Sequence, residues 1–191
     1  MRRFKKIVEK SISGKTVLGL FILTNVVYVI MLAFTIPKTM AFSKEMKLLD
    51  MMPTGYDFKY VNELFSALGE SGRETYLTNQ IPVDMIYPLL FGISYCLLAA
   101  YFLKKLSKLD KPYIYLCFLP IITGVSDYCE NIGIITMLNS YPDITAAAAT
   151  ITNMFSIIKS TSTSIFFIAL FIIFIMYLKS SFKKNQIMKR Y

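Results

Sequence analysis

Read for apolar and polar positions, the chain falls into four long apolar runs separated by short charged ones, at about 16–36, 82–103, 113–138 and 159–178. Each run reaches the roughly 20 residues that a helix needs to cross a hydrocarbon core about 30 Å thick. Pro37 and Lys38 close the first run, Lys104 and Lys105 the second, and Lys179 the last. The pattern predicts an all-α polytopic membrane protein: a four-transmembrane-helix bundle forming one membrane domain over 1–191. The first run follows a basic leader but exceeds the 7–15 residues of a signal-peptide core, so it is expected to stay as a span.

The stretch at about 37–81 is the sizeable piece between spans, and it carries helix punctuation rather than strand alternation. Thr54-Gly55-Tyr56-Asp57 precedes Tyr60, Val61, Leu64, Phe65 and Leu68 at helical spacing, and Gly69 offers a stop. Ser71-Gly72-Arg73-Glu74 opens a second helix aimed at the second span, and Ser140-Tyr141-Pro142-Asp143 a third that runs on into the fourth. A helix from Asp143 to Leu178 is about 54 Å long, beyond one bilayer crossing. These pieces predict a short helical extracytoplasmic cap whose apolar face packs on the bundle end or lies among headgroups.

Composition agrees with this picture. The 191 residues are 55% hydrophobic and 17% charged, with a mean hydropathy of +0.52, more apolar and less charged than soluble domains. The net charge of +9 would suit nucleic acid, but its placement points to the membrane: fifteen of the 21 Lys and Arg lie in the leader, the 104–112 loop and the tail, whereas ten of the 12 acids lie elsewhere. The positive-inside bias puts both termini in the cytoplasm and the protein in the plasma membrane, with no nucleic-acid partner. There is no histidine, and Cys96, Cys117 and Cys129 form no C-x-x-C pair, so no metal site and no cofactor is expected.

Ionisable residues at membrane depth carry the candidate chemistry, because each costs about 2.5–3.5 kcal/mol at a span's centre unless paired or hydrated. Asp84, Asp127, Glu130 and Lys159 all fall in the outward third of the bundle by residue count. Asp127, Glu130 and Asn131 share one helical face, which Thr123 and Gly124 extend. Arg73, Tyr76, Gln80, Asp84 and Tyr87 form a second stripe, and Thr145, Ala149, Thr152, Ser156, Lys159 and Thr163 a third. Three stripes at one level predict a shared polar pocket. Pro88 and Pro120 are expected to kink their spans.

Gly55-Tyr56, the Gly72-Arg73-x-x-Tyr76 run, Pro82-x-Asp84-x-x-Tyr87-Pro88 and Asp127-Tyr128-x-Glu130-Asn131 together resemble a group of small bacterial four-span membrane proteins. The resemblance covers about 53–142. It implies the architecture and the same polar residues, and no activity.

Several functions remain open. Carboxylates in a low-dielectric pocket supply an acid and a base without histidine when their surroundings differ. Glu130 would then be the acid and Asp127 the base or ion-pair partner. Asp84, Arg73, Tyr76, Gln80, Tyr87, Asn131 and Lys159 would hold a lipid or a lipid-like small molecule. The same cluster could instead only hold the helices together in a structural protein, a homo-oligomer or a protein that binds a membrane-protein partner. A proton- or cation-coupled transporter needs polar stripes reaching the cytoplasmic side, and 97–103 and 165–175 are almost wholly apolar.

Overall fold

The computed structural model describes residues 10–109 and 112–188, with side chains described as far as 183. Arg2, Arg3, Lys5, Lys6, Glu9, Asp110, Lys111, Lys189 and Arg190, which carry part of the charge argument, lie outside the described residues.

Every regular element among the described residues is helical. Helix α1 (Gly14–Ile30) is capped by Ser13, whose hydroxyl accepts from Thr16 N at 3.1 Å. It continues through a π turn (Met31–Thr35) into α2 (Ile36–Met40). Pro37 was expected to stop this helix and does not: it sits in the first turn of α2. The same construction recurs where a π turn (Tyr76–Gln80) leads into α4 (Ile81–Asp84), with Pro82 again in the first turn. Each time the wider π turn precedes an Ile-Pro pair, so the proline's missing N–H falls where the hydrogen-bond pattern is already rearranged. The last residues of the two turns, Thr35 and Gln80, are buried and hydrogen-bond each other.

Helix α3 (Phe58–Thr75) begins later than the sequence pattern suggests. Asp57, not Thr54, caps it, its carboxylate accepting from Tyr60 N at 2.7 Å. Gly55 has φ +86°, a left-handed conformation that bars a helix start there. Gly69, with φ +63°, breaks α3 as expected, but the helix resumes directly after it, so Ser71 is interior rather than a cap. Helix α5 (Tyr87–Lys105) follows a break at 85–86, and a 3-10 stretch (Tyr113–Phe118) leads into α6 (Leu119–Ser140). Pro88 and Pro120 stand in the first turns of α5 and α6, so each opens a helix instead of kinking one. Helix α7 (Ala146–Met188) opens at Thr145, whose hydroxyl accepts from Ala148 N, five residues beyond Ser140, the cap that the sequence pattern predicts. Its 43 residues span about 65 Å.

Among the described residues, three helical stretches are long and apolar enough to cross a membrane: Gly14–Met40, Phe58–Lys105 and Ala146–Lys183. Helix α6 has sufficient length at 22 residues but carries Ser126, Asp127, Glu130 and Asn131, all buried. Helices α1 and α7 instead expose apolar side chains such as Leu18, Ile22, Ile168 and Phe171.

Two cores stack along the bundle. In one, Val61, Leu64, Phe65 and Leu68 of α3 pack with Ile134, Met137, Leu138 and Ile144. In the other, Phe91, Leu97, Leu103, Cys117, Phe166 and Ile173 interlock. Helices α5 and α6 approach reciprocally: a Cβ on Gly124 would stand 2.6 Å from the Pro88 carbonyl oxygen, and one on Gly92 would stand 3.4 Å from that of Pro120. The backbones meet there because each helix presents a glycine one turn after its proline.

Candidate functional site

Helix α1 packs along α5, and α7 along α6, whereas α1 and α7 barely touch. A cavity of about 610 Å³ fills the cleft between them. Asn25, Tyr28 and Leu32 line one wall and Lys159, Thr163 and Phe167 the other, while Asp84, Tyr87, Phe91, Thr123 and Asp127 form the back and Asp50 joins from the loop before α3. The cavity therefore has a polar end rich in carboxylates and an aromatic end.

Lys159 organises the polar end. Its Nζ donates to Asp127 Oδ1 at 3.2 Å and pairs with the carboxylate of Glu130, so α7 clamps both acids of α6. Below this ion pair the Thr123 and Ser162 hydroxyls meet at 2.8 Å, and Thr163 donates to Thr123 at 3.4 Å. Of the α7 stripe, Ala149, Thr152 and Ser156 are buried and Lys159 and Thr163 half-buried, whereas Thr145 at its start is exposed; Ile151, Met154 and Ile158 on the other face are exposed.

A second network reaches the cavity from the other side. Thr35 donates to Gln80 Oε1, Gln80 Nε2 donates to Asp50 Oδ2 at 3.0 Å, and Tyr76 donates to Asp50 Oδ1 at 2.7 Å. Asp84 is 3% exposed and its Oδ2 has no hydrogen-bond partner, nor does Oε1 of Glu130 or Oδ1 of Asn131. The phenol of Tyr56, packed near Glu130, is likewise unpartnered, and burial first, then the Glu130 charge, pushes it above its ordinary pKa.

No family model, no curated protein and no solved structure matches the chain.

Of the residues that the sequence puts forward, Asp84, Tyr87, Asp127 and Lys159 line the cavity. Glu130 and Asn131 stand just behind it: Glu130 pairs with Lys159, and Asn131 Nδ2 donates to the Asp84 carbonyl at 3.4 Å. Tyr76 and Gln80 act on it through Asp50. Arg73 does not join them. Its guanidinium donates to Phe65 O at 2.9 Å and covers the Tyr141 ring at 4.2 Å. The arginine thus ties the stretch after the break at Gly69 back to the turn before it. Asp50 is the residue that sequence reasoning missed. It lies in a short 3-10 turn, Leu49–Met51, outside any apolar run, and its one signal is being an acid at the edge of a buried Leu48-Leu49 pair.

Proposed function

We propose that the protein is an integral membrane protein whose outward-facing carboxylate pocket binds a lipid or a small apolar molecule, with the carboxylates available for acid-base chemistry on it. The observation that carries this reading is the cavity itself, polar at Asp50, Asp84, Asp127 and Lys159 and aromatic at Phe91, Tyr95 and Phe167. Ligand pockets are mostly apolar with a few convergent polar groups, and this cleft lies between the two helices with the most exposed apolar surface. In this reading α6 is a fourth crossing that turns its acids inward, segment 37–81 is the extracytoplasmic cap, and both termini are cytoplasmic. A transporter is disfavoured because rings close the far end of the cleft: Phe91–Tyr95 at 4.6 Å, Tyr95–Phe166 at 5.9 Å and Phe166–Phe167 at 5.6 Å between centroids. The Lys159 clamp on α6 favours a second reading, in which the cluster only fixes the helices of a structural or partner-binding protein.

Native mass spectrometry of the purified protein, with extraction of bound lipid, separates the two. Wild type should retain a specific molecule that Thr163→Phe, which places a ring in the cavity, loses while staying folded. Bulk phospholipid alone in both would leave the scaffold reading standing. Orientation is checked by thiols at the exposed positions Ser66 and Ser107: an impermeant reagent applied to intact cells should label the first and spare the second.

A further inference from the structure

Charge at the cavity is unevenly matched. Asp50, Asp84 and Asp127 all line it, against Lys159. The lysine is already engaged, being shared between Asp127 and Glu130. Asp50 receives hydrogen bonds from Tyr76 and Gln80 but no cation, and Asp84 keeps an unpartnered Oδ2 although it is almost wholly buried. Among the described residues neither acid has an ion-pair partner. A buried carboxylate oxygen without a partner is costly, and a ligand supplying positive charge and N–H donors would remove that cost. Among the described residues no three acid or thiol side chains converge closely enough to hold a metal ion, so an organic cation fits the site better.

The aromatic side of the cleft points the same way. Tyr28 and Tyr87 stack at 5.5 Å and Phe91 and Tyr95 lie at 4.6 Å, and all four rings line the cavity beside the acids. Ring faces next to carboxylates are a setting that attracts ammonium groups. Beyond them the cleft opens between α1 and α7, where Leu32 and Phe167 are both lining and exposed. We infer that the cavity takes an amphiphile with an ammonium head, held at Asp84 and Asp50, its chain lying across Tyr28, Phe91 and Phe167 and leaving sideways between α1 and α7. This inference rests on the pocket reading above and names its ligand class. Two sources share the chemistry, a membrane aminophospholipid and a free long-chain amine.

The test uses the full chain in dodecylmaltoside, with equilibrium binding of radiolabelled tetradecylamine, tetradecanol and tetradecyl sulfate, each corrected for protein-free micelles. The chains are equal, so the head group alone differs. The amine should bind about tenfold or more tighter than the alcohol, as one unshared charge pair with ring contacts implies, and the sulfate weakest. Asp84→Asn should bring amine and alcohol together; if that variant does not fold, Asp50→Asn serves, and the wild-type ratio needs neither. Competition by phosphatidylethanolamine, with phosphatidylglycerol inert, assigns the lipid source; competition by free amines alone assigns the other, and both support the inference. Equal saturable binding of amine and alcohol, or preference for the sulfate, overturns the ammonium head while leaving the pocket. Saturable binding of none of the three overturns the pocket reading as well.

Discussion

The two polar seams of the bundle solve the same problem differently. Where α6 meets α7, buried acids are answered inside the protein: Lys159 pairs with Asp127 and Glu130, and Thr123, Ser162 and Thr163 satisfy one another below. Where the two π turns meet, the hydrogen bonds run from Thr39 to the Thr35 carbonyl, from Thr35 to Gln80 and from Gln80 to Asp50, and end on a carboxylate with no cation among the described residues. One seam closes on itself and the other delivers unspent charge to the cavity. The first cluster has its compensation built in, whereas Asp50 has only the donors Tyr76 and Gln80, and Asp84 is buried with an unpartnered carboxylate oxygen.

Breaking the closed seam should have the largest effect. Lys159→Met leaves two buried carboxylates facing each other across one turn of α6, and removing one partner of a buried ion pair typically costs about 3–5 kcal/mol. The midpoint of thermal unfolding in detergent should fall steeply, and Asp127→Asn with Glu130→Gln in the same chain should recover most of the loss. Unfolding of Lys159→Met at the wild-type midpoint would mean that this cluster is not the clamp and would erase the contrast between the seams.

The open seam should respond less. Tyr76→Phe removes one of the two donors on Asp50 and leaves Gln80, and a hydrogen bond to a charged group is worth about 1.5–3 kcal/mol. Its second effect is more diagnostic, because Asp50 then has acceptor capacity to spare at the cavity. Ligand occupancy read by native mass spectrometry should change in Tyr76→Phe, whereas Ser162→Ala, at a closed-seam residue that does not line the cavity, should leave it unchanged.

The sequence made the closed seam legible and concealed half of the open one, for a physical reason. Asp127, Glu130 and Asn131 share a regular helix with α7 as neighbour, so periods of three and four residues locate them and the inward stripe at Ala149, Thr152, Ser156 and Lys159. Along α3 to α5 the stripe holds from Tyr76 to Tyr87, across the π turn at Tyr76–Gln80 and the break at 85–86, and loses only Arg73, which lies before the π turn and turns to Phe65 and Tyr141. Asp50 belongs to no periodic element, and only the folded loop brings it to Tyr76 and Gln80. The close approach of α5 and α6 was readable in principle: Pro88-x-x-x-Gly92 and Pro120-x-x-x-Gly124 repeat one spacing, and each glycine lies against the other helix's proline carbonyl.

The smallest effect expected lies inside the closed seam itself. Ser162→Ala removes the 2.8 Å partner of Thr123, but the Thr163 hydroxyl, already 3.4 Å from Thr123 Oγ1, can take over, and the methyl fits the space that the serine leaves. Neutral hydrogen bonds are worth about 0.5–1.5 kcal/mol net, and with a substitute donor at hand the cost should sit at the low end. The same midpoint measurement therefore ranks the seam internally. If Ser162→Ala proves as damaging as Lys159→Met, then hydroxyl packing rather than charge pairing joins α6 to α7, and the acids beside Lys159 would have to be counted with Asp50 and Asp84 as groups held ready for a ligand.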